Sequence, residues 1–336
     1  MRKSKQHTAR YPDQTNGIYL YEYPMIHGIR QYVQVRGTDR NNPLLLFLHG
    51  GPGSSMAGLC HVLQAGWEEQ FTVVNWDQRN TCKTYFANQD RAMEIAKTGT
   101  LEDYIQDIDE VIAYLHTVYS FDKLILMGFS WGSAIGSAYA QRHPENLLCY
   151  IGVGQHISYL DGIRFICDKL SELAAGNQKD ILKIKAIAES VANEPKMTKQ
   201  FMKNLRSYIA LGTKYIAKSG KAFPLKAFLT SPFLSFKEKY SVVKSDPSWL
   251  EGTFATMMTY DFREDMRFAV PVLFLSGAED FSCPVDLLRI CFAGVTAPDK
   301  RLEIIPQAAH ACLLDQSEMF YQKMTAFVDC VIQNRS

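Results

Sequence analysis

No stretch of this 336-residue sequence is apolar for the roughly 20 residues that a membrane-spanning helix needs, which excludes a spanning protein. Neither sign of charge is in excess: 36 Lys plus Arg stand against 35 Asp plus Glu. That balance removes the basic footprint of a nucleic-acid binder, so neither a nucleic acid nor a membrane is expected as a partner. The eight cysteines include no C-x-x-C pair and no grouping with histidine at metal-ligand spacing, so no metal or other cofactor is expected. Several of them lie inside apolar stretches, as reduced core thiols do, which points to a reducing cytoplasm. The basic stretch Met1 to Gln14 lacks the apolar run that follows the lysines of a signal peptide. Oligomeric state is not legible.

What the sequence has is a composition of 47% apolar and 12% aromatic residues, enough for one large core or two smaller ones. Apolar runs predict strands near Ile18 to Tyr23, Arg30 to Val35, Pro43 to Leu48, Thr72 to Trp76, Lys123 to Met127, Leu147 to Val153, Val270 to Ser276 and Arg301 to Ile305. Several later runs show no alternation, as in a parallel sheet covered on both faces, and helical patterns separate them. One helix is especially clear. Thr100 and Asp103 form a capping-box-like start, and Leu101, Tyr104, Ile105, Ile108, Val111, Ile112 and Leu115 repeat at helical spacing as a core-facing stripe. The expected fold class is α/β: a mostly parallel eight-stranded sheet flanked by helices.

Between residues 156 and 261 the strand rhythm stops and lysine-rich helical patterns take over. This segment is expected to be a helical cap inserted between core segments 1–155 and 262–336. Residues 155–260 hold sixteen Lys plus Arg and nine Asp plus Glu, a local excess of seven positive charges in a chain whose formal net charge is +1. Such a surface favours anionic or neutral substrates over cationic ones.

Chemistry enters with Gly128-Phe129-Ser130-Trp131-Gly132, which follows an apolar run and opens a small-residue helix. This is the pattern of a nucleophile elbow, a sharp strand-to-helix turn that exposes a serine hydroxyl above the sheet. Upstream, Pro43 to Leu48 ends in His49-Gly50-Gly51-Pro52-Gly53, a turn able to supply half an oxyanion hole; the donors are assigned to the N–H groups of Gly51 and Trp131. Asp77 and Arg79 are read as a structural ion pair bracing that loop. Downstream, one strand runs into Glu279-Asp280 and the last into Ala308-Ala309-His310. The chain order Ser130, Asp280, His310 is that of an α/β-hydrolase triad. Glu279 is a rival for the acid, and the shorter Asp280 better suits an orienting role. Cys283 and Cys312, close in sequence to the acid and base, are read as packing residues.

Together, the H-G-G-P-G loop, Asp77-Gln78-Arg79, the elbow and the Gly277/Asp280/Pro284 spacing resemble the proline iminopeptidase family of α/β-hydrolases over roughly residues 17–155 and 262–334. The resemblance implies an oxyanion hole at Gly51 and Trp131 and an acid at Asp280. Two positions depart from the family pattern: D-Q-R-G reads Asp77-Gln78-Arg79-Asn80, and Phe129 replaces a small residue before the serine. The cap acids with which that family holds a substrate's amino terminus have no match here.

The expected function is therefore a serine hydrolase that cleaves a carboxylic ester, bulky or cyclic, or an activated amide through an acyl-enzyme. The alternative is a proline iminopeptidase-type aminopeptidase acting on short peptides, and a low-turnover ligand receptor on the same fold is a third reading. Candidate pocket residues are Phe129, Phe236, Tyr240, Trp249 and Met257. Glu238, Glu251 and Asp261 are the acids to inspect for amine recognition.

Overall fold

The computed structural model describes residues 16–192, 198–243 and 247–334; the basic stretch Met1 to Gln14 lies outside them. Eight strands form one sheet: β1 (Ile18–Glu22), β2 (Tyr32–Gly37), β3 (Leu44–Leu48), β4 (Thr72–Asp77), β5 (Leu124–Phe129), β6 (Leu147–Val153), β7 (Val272–Gly277) and β8 (Lys300–Ile305). Their spatial order is β1-β2-β4-β3-β5-β6-β7-β8. The pairs β1/β2 and β2/β4 are antiparallel, and every pair from β4/β3 to β7/β8 is parallel. The second strand starts later than the apolar run suggests. His27 and Gly28, both at positive φ, turn the chain into a small ribbon that pairs Met25–Ile26 with Ile29–Arg30, and the sheet strand begins only at Tyr32.

Strand β3 is buried at every position, as a strand covered on both faces must be. One face carries a core built around Leu46, Leu48, Leu126, Tyr150 and Phe274; the other is built around Leu45, Phe47, Ile125, Leu273 and Phe327. The helix Leu101–Val118 starts with a true capping box: the Thr100 hydroxyl accepts from the Asp103 N–H, and the Asp103 carboxylate accepts from the Thr100 N–H. Its predicted stripe is buried apart from Leu101, which is half-buried at the first turn. The helix Trp131–Arg142 lies directly on the sheet, since a methyl group at Gly132 would sit 2.1 Å from the Leu48 carbonyl oxygen.

Between β6 and β7 the chain forms helices Tyr159–Leu173, Gln178–Ala192, Lys199–Tyr215, Leu225–Leu229, Phe236–Val243 and Glu251–Thr259. The first three enclose their own apolar cluster, including Ile166, Leu170, Ile184 and Tyr208. Phe281 and Ala309 join that cluster from the loops after β7 and β8. This helical layer therefore grips the residues next to Asp280 and His310. Among the described residues no helix is long and apolar enough to cross a membrane.

Candidate active site

Ser130 follows β5 directly and precedes the helix Trp131–Arg142, with φ +54° and ψ −119°. A positive φ is costly for a residue with a side chain, of order 1–3 kcal/mol, and persists only where neighbours enforce it. Here the Ser130 N–H donates to the Val153 carbonyl at 2.9 Å, and the Ser130 carbonyl accepts from Ser133 at 2.8 Å. Strand and helix thus both hold the turn, and the serine stands at the carboxyl edge of the sheet.

Asp280 and His310 reach the same edge from the ends of β7 and β8. Asp280 Oδ2 lies 2.9 Å from His310 Nδ1, while Oδ1 accepts the N–H groups of Ser282 and Cys283, each at 2.9 Å. One carboxylate oxygen is thereby fixed by backbone, leaving the other to fix the imidazole. Burial opposes charge on His310, but the charge and hydrogen bond of Asp280, with Asp315 behind, outweigh it and raise the imidazole above its ordinary pKa. The Phe129 ring lies 5.0 Å from the His310 ring. Gly154, which follows the Val153 that holds Ser130, packs so that a methyl there would be 3.2 Å from both Asp280 Oδ2 and His310 Cε1. All three candidate catalytic side chains therefore surround the end of β6.

The glycine loop closes the site from β3. A methyl at Gly50 would touch the Ser130 Cβ and the Phe129 carbonyl, each at 3.0 Å. His49 is fully buried, and burial pushes its imidazole down to about 4, so it is neutral. Its Nε2 accepts the Gln78 N–H at 3.2 Å, which puts the proton on Nδ1, where it donates to the Gly50 carbonyl at 2.9 Å. The Gln78 side chain donates to the His49 carbonyl and accepts from the Trp131 indole N–H. Trp131 is the first residue of its helix, and the opening N–H groups of a helix have no partner within it. Gly51 and Trp131 are thus carried by two segments that Gln78 ties together.

Residues 43–317 match the family model described as alpha/beta hydrolase fold. The chain belongs to the α/β-hydrolase family. It is similar to the probable aminopeptidase YbaC of Bacillus subtilis (strain 168), with 25% identity over 303 residues, 88% of this chain and 92% of that protein. The proline iminopeptidase of Neisseria meningitidis (serogroup A, strain Z2491) is 33% identical over 136 residues, 39% of this chain and 40% of that one. In fold, the chain is similar to the crystal structure of the proline iminopeptidase of Mycobacterium smegmatis: TM-score 0.64, 16% identity, 96% of this chain and all of that one (100%).

Other readings of this α/β-hydrolase's sequence need correction. Asp77 and Arg79 do not pair with each other. Arg79 forms a two-pronged bond to Asp107 at 2.6 and 2.7 Å, because the buried face of the helix Leu101–Val118 presents that carboxylate to it. Asp77 accepts from the Ser55 hydroxyl and the Lys83 N–H instead, and burial raises its pKa to about 7. It still braces the glycine loop, through Ser55. Of the pocket candidates, Phe129 faces His310. Trp249 stacks on Tyr85 at 4.2 Å, and its carbonyl accepts from Asn80. Met257 is buried in the main core, and Phe236 and Tyr240 are 85% and 58% exposed. A cavity of about 370 Å³ lies beside Phe233, lined by Tyr19, Tyr21, Tyr23 and Tyr32, with the Lys83–Glu238 ion pair in its wall.

Cys283, read from the sequence as a packing residue, also borders the site, as do His156 and Tyr208, to which the sequence reading assigned no role. The Cys283 thiol lies near Ser130, and burial, with the nearby Asp280 charge, pushes it far above its usual pKa, so it remains S–H. His156 is buried, and burial, reinforced by the charge of His310, lowers it to about 4. Its ring stacks on Tyr159, and its Nε2 has no hydrogen-bond partner. Tyr208 donates to the Phe281 carbonyl at 2.7 Å, anchoring the loop that carries Asp280.

Proposed function

We propose that this α/β-hydrolase is a serine hydrolase cleaving a carboxylic ester of a small, apolar molecule through Ser130, His310 and Asp280. The observation that carries the reading is the 2.9 Å Asp280–His310 bond at the rim where Ser130 is held at positive φ. Ser130 Oγ attacks the carbonyl and His310 Nε2 takes its proton, while Asp280 holds the Nδ1–H and steadies the imidazolium. The N–H groups of Gly51 and Trp131 receive the developing oxyanion, each contributing about 3 kcal/mol at the transition state. His310 then protonates the leaving alcohol, and water, activated by the same imidazole, releases the acid from the acyl-enzyme. Helices of segment 156–261 act as the cap over this site.

An ester is favoured over a substrate with a free ammonium because two of the three candidate acids are already engaged. Glu238 binds Lys83 at 2.9 Å, and Asp261 binds Arg263 at 2.8 Å. Eight free thiols favour a reducing, cytoplasmic setting. One observation favours the aminopeptidase reading. Glu251 is exposed, has no ion pair among the described residues, and follows Leu250, whose side chain packs against Gly53 of the glycine loop.

Labelling with a fluorophosphonate, together with turnover of an aryl ester by Ser130→Ala, tests the mechanism. Labelling should map to Ser130, and kcat should fall about a million-fold if the triad acts as a unit. A loss below about tenfold excludes Ser130 as the nucleophile, and a protein that is neither labelled nor able to turn over the ester favours a ligand receptor.

A further inference from the structure

The exposed apolar residues of the cap are concentrated on one short stretch. Phe223, Leu225, Leu229, Phe236 and Tyr240 are each more than half exposed, and Phe236 is 85% exposed. Their spacing is regular. Leu225 and Leu229 are four apart on the helix Leu225–Leu229, and Phe236 and Tyr240 are four apart on the helix Phe236–Val243, so each pair shares a helix face. The first helix is anchored inward through Phe228 and Ala227, which pack with Leu234, Leu59 and Cys82. Lys239 Nζ donates to the Leu229 carbonyl at 2.8 Å, which joins the two helices side by side. The outward residues therefore form one apolar face on a supported base.

Positive charge accompanies the same stretch of chain. Residues 221–240 hold four lysines (Lys221, Lys226, Lys237 and Lys239) and one acid, Glu238. Glu238 is bound from beneath by Lys83, and both side chains of that pair are largely covered. None of the four lysines has an ion pair with a carboxylate among the described residues. Lys221 and Lys239 donate to backbone carbonyls, and Lys237 to the Gln89 amide. An apolar face with an aromatic at its tip, rimmed by uncompensated ammonium groups, combines the two features by which a helix settles on an anionic lipid surface. A second protein would need complementary acids; a bilayer supplies them as phosphates and carboxylates at any point.

We propose that residues 223–240 form a peripheral docking face for anionic bilayers, with Leu225, Leu229, Phe236 and Tyr240 entering the headgroup boundary and the surrounding lysines holding the charged surface. The lack of a long apolar run in the sequence excludes a spanning helix and leaves this mode open. Docking through the cap would bring membrane-partitioned esters to the enzyme, yet binding itself is independent of whether Ser130 turns over.

The test is co-sedimentation of the full chain with vesicles of phosphatidylcholine alone and of phosphatidylcholine mixed with phosphatidylserine. Wild-type protein should pellet with the mixed vesicles, weakly with the neutral ones, and be released at about 1 M salt, where charges are screened within about 3 Å. The double variants Leu225→Ser with Phe236→Ser, and Lys226→Glu with Lys237→Glu, should each lower partitioning about tenfold or more while keeping wild-type circular dichroism and Tm. Pelleting no greater than in a vesicle-free control overturns the proposal, as does pelleting that both variants leave unchanged. A concentration-dependent dimer in sedimentation velocity, abolished by Phe236→Ser in the absence of lipid, assigns the face to a second copy instead.

Discussion

Gln78 and Trp131 are joined by a hydrogen bond of 3.2 Å between the amide oxygen and the indole N–H, while the other end of the same amide donates to the His49 carbonyl at 2.9 Å. One buried side chain thus sets the distance between the glycine loop and the start of the helix behind Ser130, the two segments that carry the proposed oxyanion donors. Gln78→Ala would leave both partners unsatisfied and let the segments separate. Its kcat should fall by about 10²-fold, comparable to loss of one oxyanion donor, with KM changed much less. A fall in stability with kcat intact would assign Gln78 to folding alone.

The Asp280–His310 bond sets the pH dependence. The reaction needs a neutral imidazole, and Asp280 lifts the imidazole above its ordinary value, so the acid limb of kcat/KM should lie above about 6.5. Asp280→Asn removes the two largest raising contributions and leaves burial, which lowers. The residual activity of that variant, reduced by about 10⁴-fold, should therefore show its acid limb below that of the wild type. A limb that stays in place would mean that another group titrates.

These relationships differ in how far they could be read in advance. The strands and the elbow were legible because a parallel strand buried on both faces must be apolar throughout, and because Gly128 and Gly132 mark where helix and strand touch. Asp103 at the start of the helix Leu101–Val118 was equally plain, since a cap is a local device. Partnerships across the fold were not. Arg79 had Asp77 two residues away, yet its carboxylate is Asp107, delivered by a helix whose placement against the loop after β4 no local pattern fixes. Gln78 carries no charge or motif, and its role exists only once His49 and Trp131 have been brought together. Phe236 and Tyr240 illustrate the same limit: four-residue spacing puts them on one face, and only packing decides whether that face looks inward.

Asp77 offers a test of the glycine-loop brace through stability. Burial raises its pKa from 3.8 to about 7, against the hydrogen bonds from Ser55 and Lys83. Between those values the folded protein holds a proton that the unfolded chain has released, so this group makes stability fall as pH rises through the window, by about 1.4 kcal/mol per pH unit at most. Asp77→Asn keeps both oxygen and donor capacity without the titration. Urea unfolding at several pH values should show a stability decline from about pH 4 to 7 that is shallower in the variant. Parallel curves would place the ordinary, ionised carboxylate at this position.

Phe281 connects the helical layer after β6 to the proposed triad. Its ring packs where Gly212 leaves room, since a methyl at Gly212 would lie 2.4 Å from ring carbons, and its carbonyl is held by Tyr208. A bulkier residue at position 212 must push Phe281, and with it the adjacent Asp280, away from His310. Gly212→Val should lower kcat by about 10²-fold, as displacement of a catalytic group by about 1 Å does, and should weaken the downfield Nδ1 proton resonance of His310. Retention of that resonance with full activity would show that the cap can repack without moving the acid.

Substrate choice rests on the cap acids. An aryl ester should be hydrolysed with a higher kcat/KM than a prolyl arylamide, and that arylamide little faster than its amino-blocked form, if no carboxylate receives the substrate's ammonium. With Glu238 and Asp261 bound to Lys83 and Arg263, and an excess of positive charge on the cap, the ester is expected to lead and the two arylamides to differ by less than about tenfold, the size of one weak exposed ion pair. Glu251 is the acid that can reverse this order. If the unblocked prolyl compound is preferred, Glu251→Gln should erase the preference by raising KM for that substrate while leaving ester turnover unchanged, and the protein would then be an aminopeptidase whose amine site lies beside Leu250 and the glycine loop.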